Sequence, residues 1–309
     1  MTPVEAVTTT DHDEVVRLAH QLPRPAYADG SPISLQSLLA KSRCLVPGVD
    51  AVEMLTRAVA HDRTLSDAER RVVEGDPLAV WTLLRTASST QPVRSWADAL
   101  LVAQKEHLLA TFQAANGLRH LSLSTSHEAD VATHSVATAV CARVLATYDD
   151  EGDANAAFVN GMFVGLGRLV MSIVLPHSYG EVLETARLTS TPLAELEEAW
   201  LGFSNVSLVS HIAQDAELDD ELQVVLEHQD AHDGAAVPAG CAGQVAVVQI
   251  AQSFAELILA GDPLPRPRRL RHDPAFRLLP LLGIATKELS GVFDECRWAC
   301  FDHKLTGAA

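Results

Sequence analysis

NGMFVGLGRLVMSIVLPHSY, Asn160 to Tyr179, is twenty residues of apolar sequence carrying three glycines and a single arginine. Three structures fit such a run: a membrane span, a phosphate-cradling loop, or a buried helix stripped of working side chains. Arg168 divides the uncharged sequence into Ala154 to Gly167 and Leu169 to Gly180. Each piece is shorter than the roughly 20 residues a bilayer requires, so no span is expected. A phosphate loop needs a strand before the glycines, so that free backbone N–H groups turn toward the anion. No strand pattern precedes Gly165. The buried helix remains, with Gly165 and Gly167 each costing about 1 kcal/mol relative to alanine. Close approach of a neighbouring helix is the expected compensation.

The rest of the chain repeats near 3.6 residues rather than 2, and the expected fold class is all-α. Asp76-Pro77 marks a helix start before LAVWTLLRTA. Ser95 to Asp98 resembles a capping box ahead of one long helix closed by Asn116-Gly117. Further helices are predicted over Val49 to His61, Ser66 to Glu74, Glu128 to Thr147, Ala154 to Leu175, Leu193 to Leu201, Asn205 to Asp215, Asp219 to Gln229 and Gly243 to Leu259. Breaks fall at Leu22 to Pro32, Asp233 to Gly240 and Gly261 to Arg269, all rich in Gly and Pro. The expected division is an N-terminal helical segment over 1–43, a main helical domain over 44–260, and a linker with a C-terminal helical extension over 261–309. LLPLLGIATKEL and FDECRWACFDHKL in that extension read as amphipathic helix, expected to dock on the body.

Forty acidic against twenty-three basic residues give a formal charge of −17, which repels nucleic-acid backbones and anionic lipid. The basic knot Arg266, Arg268, Arg269 and Arg271 is broken by prolines and reads as solvated linker rather than a phosphate patch. Five scattered cysteines form no zinc or disulfide spacing and fit a reducing cytoplasm. Cys296 and Cys300, one turn apart, read as apolar packing. The first residues, MTPVEAVTTTDHDE, lack the basic start and apolar core of a secretory signal.

DVATHSVATAVCARVLA (Asp130 to Ala146) and AFVNGMFVGLGRLVMSIVLPHSYGEVLETA (Ala157 to Ala186) together resemble the HDOD family. Its members are helical signalling domains related to the metal-dependent HD phosphohydrolases. In the family, W-x-H-S-x-x-x-A is followed by G-L-L-H-D-I-G-R-L and then F-P-x-x-Y. LVPGVDAVEML (Leu45 to Leu55), GDPLAVWTLLRTASS (Gly75 to Ser89) and ELEEAWLGFSNVSLVSHIAQDAEL (Glu195 to Leu218) extend the likeness over Leu45 to Gln229. The resemblance implies an HDOD-like helical bundle, bacterial, acting in signal transduction through a signalling protein partner.

It also implies a lost metal site. HD hydrolases gather a histidine, a His-Asp pair and a later aspartate around divalent metal, which lowers the pKa of bound water from about 16 to about 7. By the resemblance His134 keeps the first position, and Val164 and Gly165 stand at the His-Asp pair. Asn205 replaces another histidine, His228 begins a former double histidine, and Gln252 stands at the late aspartate. One imidazole cannot hold a catalytic metal, since such sites use at least three protein ligands. Neither cofactor nor metal is therefore implied, and the expectation is a pseudoenzyme that binds a protein or small ligand. Arg168, matching the family's G-R-L arginine, is expected at the cleft rim, in a structural ion pair or on a ligand. His228 and His232 share a helical face that reads as hydrophilic surface or as a ligand site. Two alternatives stay open. One is a divergent phosphohydrolase using His134, His228 and His232 with Asp130 and Asp230. The other is a nucleotide or nucleic-acid sensor using Arg168 or the arginine knot.

Overall fold

The structure is a computed structural model that describes residues 12–21, 26–27, 31–117, 126–230, 237–262 and 274–305. Among these no strand forms; a single bridge joins Ala26 to Pro32. The helices are α1 His12–Gln21, α2 Leu35–Ser42, α3 Val49–Ala60, α4 Asp67–Glu74, α5 Pro77–Ser88, α6 Trp96–Val102, α7 Lys105–Gly117, α8 Ser126–Leu145, α9 Ala154–Val164, α10 Leu166–Val174, α11 Pro176–Thr189, α12 Leu193–Leu201, α13 Asn205–Asp215, α14 Asp220–Glu227, α15 Ala242–Ala260 and α16 Leu289–Asp302. The predicted breaks at Leu22 to Pro32, Asp233 to Gly240 and Gly261 to Arg269 lie largely outside the described residues, as do His232 and the arginine knot.

Helix ends form where the sequence marks them. Asp76 accepts hydrogen bonds from the Leu78 and Ala79 amides at 3.0 and 3.1 Å, and its other oxygen accepts from Gly48 N at 2.5 Å. Ser66 and Glu69 close a capping box at the start of α4.

Two expected helices are each divided. The long helix after Ser95 ends at Val102, because Ala103 is extended (ψ 137°), and α7 begins at Lys105. Neither Gly nor Pro signals this break, so periodicity carries straight across it. The run from Ala154 bends at Gly165, where α9 stops and α10 starts.

α8 is the axis of the bundle. From Ser135 to Cys141 and on through Leu145 it is buried on nearly every side, and its alanines let α9, α10, α15 and α16 pack along it. The C-terminal extension docks as expected. Phe293 of α16 meets Phe254 of α15 edge-on, with ring centres 5.1 Å apart, and Phe276 packs on the same ring at 5.7 Å. Burying each such ring stabilises by about 2 kcal/mol. Cys300 lies against Cys141 with sulfurs 3.8 Å apart, and Cys296 packs beside them, so these thiols fill core space.

By length and composition alone, the stretches Ala154–Val174 and Ala239–Ala260 suffice to cross a bilayer. This corrects the expectation that Arg168 makes the first run too short: a single arginine does not lower the mean hydropathy enough. In this fold 78% and 56% of the two windows are buried in protein.

Candidate functional site

The glycines of the opening stretch mark where backbones meet. A Cβ on Gly165 would lie 1.9 Å from Ser135 Oγ of α8, and one on Gly167 would lie 2.4 Å from the Asn205 carbonyl oxygen. Both distances are far inside van der Waals contact. Close helix approach is thus the compensation for the glycines, and it brings α8, α10 and the start of α13 together.

At this junction α8 contributes His134, and α10 contributes Arg168. The Nε2 of His134 is shielded from solvent and has no hydrogen-bond partner. Burial, followed by the nearby Arg168 charge, pulls its pKa down to about 4. The imidazole is therefore neutral at pH 7.

Arg168 is half-buried, with Nε shielded and unpartnered. The expected direct ion pair is absent: among the described residues no carboxylate reaches Arg168 within 4 Å. Burial opposes its charge, but the combined fields of Tyr179, Glu197, Asp230 and Glu256 outweigh that and raise its pKa. The guanidinium is a half-buried cation held by surrounding acids rather than by one partner.

Glu197 is the most buried of those acids, at 0% exposure. Tyr179 Oη donates to its Oε1 at 2.6 Å, while the Asn205 backbone and side-chain amides donate to its Oε2 at 2.6 and 3.0 Å. Burial raises the Glu197 pKa, and these hydrogen bonds with Arg168 work the other way. Sequence reading passed over Glu197 and Tyr179 as working residues. Both stood in quoted segments, Tyr179 ending LPHSY and Glu197 five residues before Gly202. Their signal was a polar residue at fixed spacing inside apolar helices.

The other positions that the resemblance sets against the family's metal ligands distribute as follows. Val164 is 2% exposed and Gly165 has no side chain, so neither offers a lone pair. Asn205 Oδ1 and Gln252 Nε2 are shielded without partners. His228, which caps the end of α14, has its Nδ1 2.9 Å from the Val224 carbonyl oxygen one turn back. Gln229, beside it, is buried, its Nε2 donating to the Leu226 carbonyl at 2.9 Å. Asp130 is exposed on α8. Among the described residues no three His, Cys, Asp or Glu side chains gather as a metal-ligating group.

A divalent ion does not fit these residues. The donors at the family's ligand positions are the imidazoles of His134 and His228 and neutral amides, with no carboxylate among them, and the Arg168 charge near His134 would repel a dication.

A sequence profile of the HDOD domain matches residues 47–232, more than half of the chain. The protein belongs to the HDOD family. As an HDOD protein it shares its fold with solved structures at low identity. The MmoQ response regulator of Methylococcus capsulatus aligns with TM-score 0.58 and 19% identity over 81% of this chain and 97% of that one. A virulence factor of Campylobacter jejuni aligns with TM-score 0.61 and 16% identity over 87% and 100%. No curated protein matches the chain. Both structural likenesses carry the HDOD helical architecture and no more.

Proposed function

We propose that this HDOD protein is a non-catalytic regulator in bacterial signal transduction, working in the cytoplasm through protein or small-ligand binding. The observation that carries the reading is the position of Arg168. The chain places its own cation within reach of His134, Tyr179 and Glu197, beside the Val164-Gly165 pair that stands at the family's metal-binding dipeptide. The acids that would attract a metal, Glu197 among them, lie in the field of the Arg168 charge, which disfavours a dication there. The naming of MmoQ as a response regulator agrees with a signalling role. Five unpaired cysteines agree with a reducing compartment.

Hydrolysis of bis(p-nitrophenyl) phosphate and of a nucleotide panel by the purified full chain, with Mn²⁺ or Mg²⁺, tests the proposal. Rates equal to those of His134→Ala are expected. Turnover that His134→Ala abolishes would overturn it.

A further inference from the structure

Ala103 leaves the helical conformation, and the resulting break between α6 and α7 opens a cleft against the end of α3. The cleft encloses about 540 Å³, within the range of small-molecule sites. None of these helices contributes to the surroundings of Arg168, so this is a separate place on the molecule.

Its floor is apolar, formed by Trp96, Leu65, Leu100 and Leu108. Ser95 caps α6 by accepting from Asp98 N at 3.1 Å, which fixes Trp96 in the first turn, where only 4% of it is exposed. Leu101, at 84% exposure, extends the apolar lining outward.

The charges around this floor are sorted. Arg63 is held by Glu69 through bonds of 2.6 and 2.9 Å. Lys105 is held by both oxygens of Asp62 at 3.0 and 2.9 Å. Arg70 differs: its guanidinium lies 5.7 Å from the Trp96 ring centre, and among the described residues no carboxylate pairs with it. Two neutralised pairs and one unneutralised arginine leave a single positive charge over an aromatic floor, on a protein of net charge −17.

We propose that this cleft binds a small amphipathic monoanion. Its aromatic or aliphatic body lies on Leu65, Leu100 and Leu101, and its one carboxylate, sulfonate or phosphate group pairs with Arg70. Apolar burial supplies most of the affinity, and the arginine fixes orientation. Polyanions are selected against, because only one cation is available and the surrounding field repels further negative charge. The site names a ligand class independently of the reading given to Arg168.

Fluorescence titration of the full chain with 8-anilinonaphthalene-1-sulfonate, an aromatic monoanion, tests the assignment. Saturable one-to-one binding is expected, displaced by dodecanoate and not by ATP. Arg70→Glu should weaken it about tenfold or more, the size of one lost charge-assisted hydrogen bond, while Arg70→Lys retains most of the affinity. Arg70 is exposed, so its variants should unfold with the wild type. Leu100→Asp, which charges the floor and leaves Arg70 in place, should weaken binding comparably. Equal affinity in Arg70→Glu, non-saturating binding, or displacement by ATP in preference to dodecanoate would overturn the proposal.

Discussion

Tyr179 donates to Glu197 at 2.6 Å in a part of the core where both side chains are out of solvent. The bond joins α11 to α12, and Asn205 carries the same carboxylate on to α13. A buried carboxylate stripped of one donor bears a desolvation cost that no neighbour relieves. Tyr179→Phe keeps the ring and removes only the hydroxyl. It should lower unfolding free energy by about 2 kcal/mol in urea denaturation. A loss below about 0.5 kcal/mol would mean that Glu197 finds another donor.

The junction at Gly165 gives a prediction of a different kind. Gly165→Ala inserts a methyl against Ser135 Oγ, and overpacking of this sort costs about 1–3 kcal/mol. Ser135→Ala removes the oxygen and leaves Ser135 Cβ, 3.0 Å from the new methyl, so the double variant should recover part of the loss. Gly167→Ala meets a main-chain carbonyl that no side-chain change can remove. Denaturation midpoints of the three variants should therefore show positive coupling for Gly165 with Ser135. Strict additivity would contradict the contact.

How much of this was legible beforehand differs from residue to residue. Asp76-Pro77 and Ser66 gave helix starts because capping is a local matter, settled within three or four residues. The glycines of the opening stretch also gave up their meaning, since an unexplained helix glycine implies a close neighbour. The bends at Gly165 and Ala103 did not show, because each depends on what packs across the chain rather than along it. The surroundings of Arg168 did not show for the same reason. Its acids come from α12, α15 and the residues after α14, and sequence periodicity cannot bring Glu197, Asp230 and Glu256 to one side chain.

Stability should respond to pH through His134. Its pKa is about 4 in the fold, against an ordinary value near 6.5, so between those values the unfolded chain holds a proton that the folded chain rejects. Unfolding free energy should be fully developed above pH 6.5 and fall as pH drops toward 4, by about 3 kcal/mol from this residue. His134→Gln should flatten the difference over that window while leaving carboxylate titration below it unchanged. Wild-type and variant curves that run parallel from pH 7 to pH 4 would show that the imidazole is not held neutral.

The central claim is that the chain supplies its own cation where the family's relatives place a metal. Plasma mass spectrometry on the full chain, after equilibration with Mn²⁺ or Zn²⁺ and desalting, measures this most directly. The account predicts metal far below one ion per chain, unchanged in His134→Ala. One tightly held ion per chain, lost in His134→Ala, would contradict it.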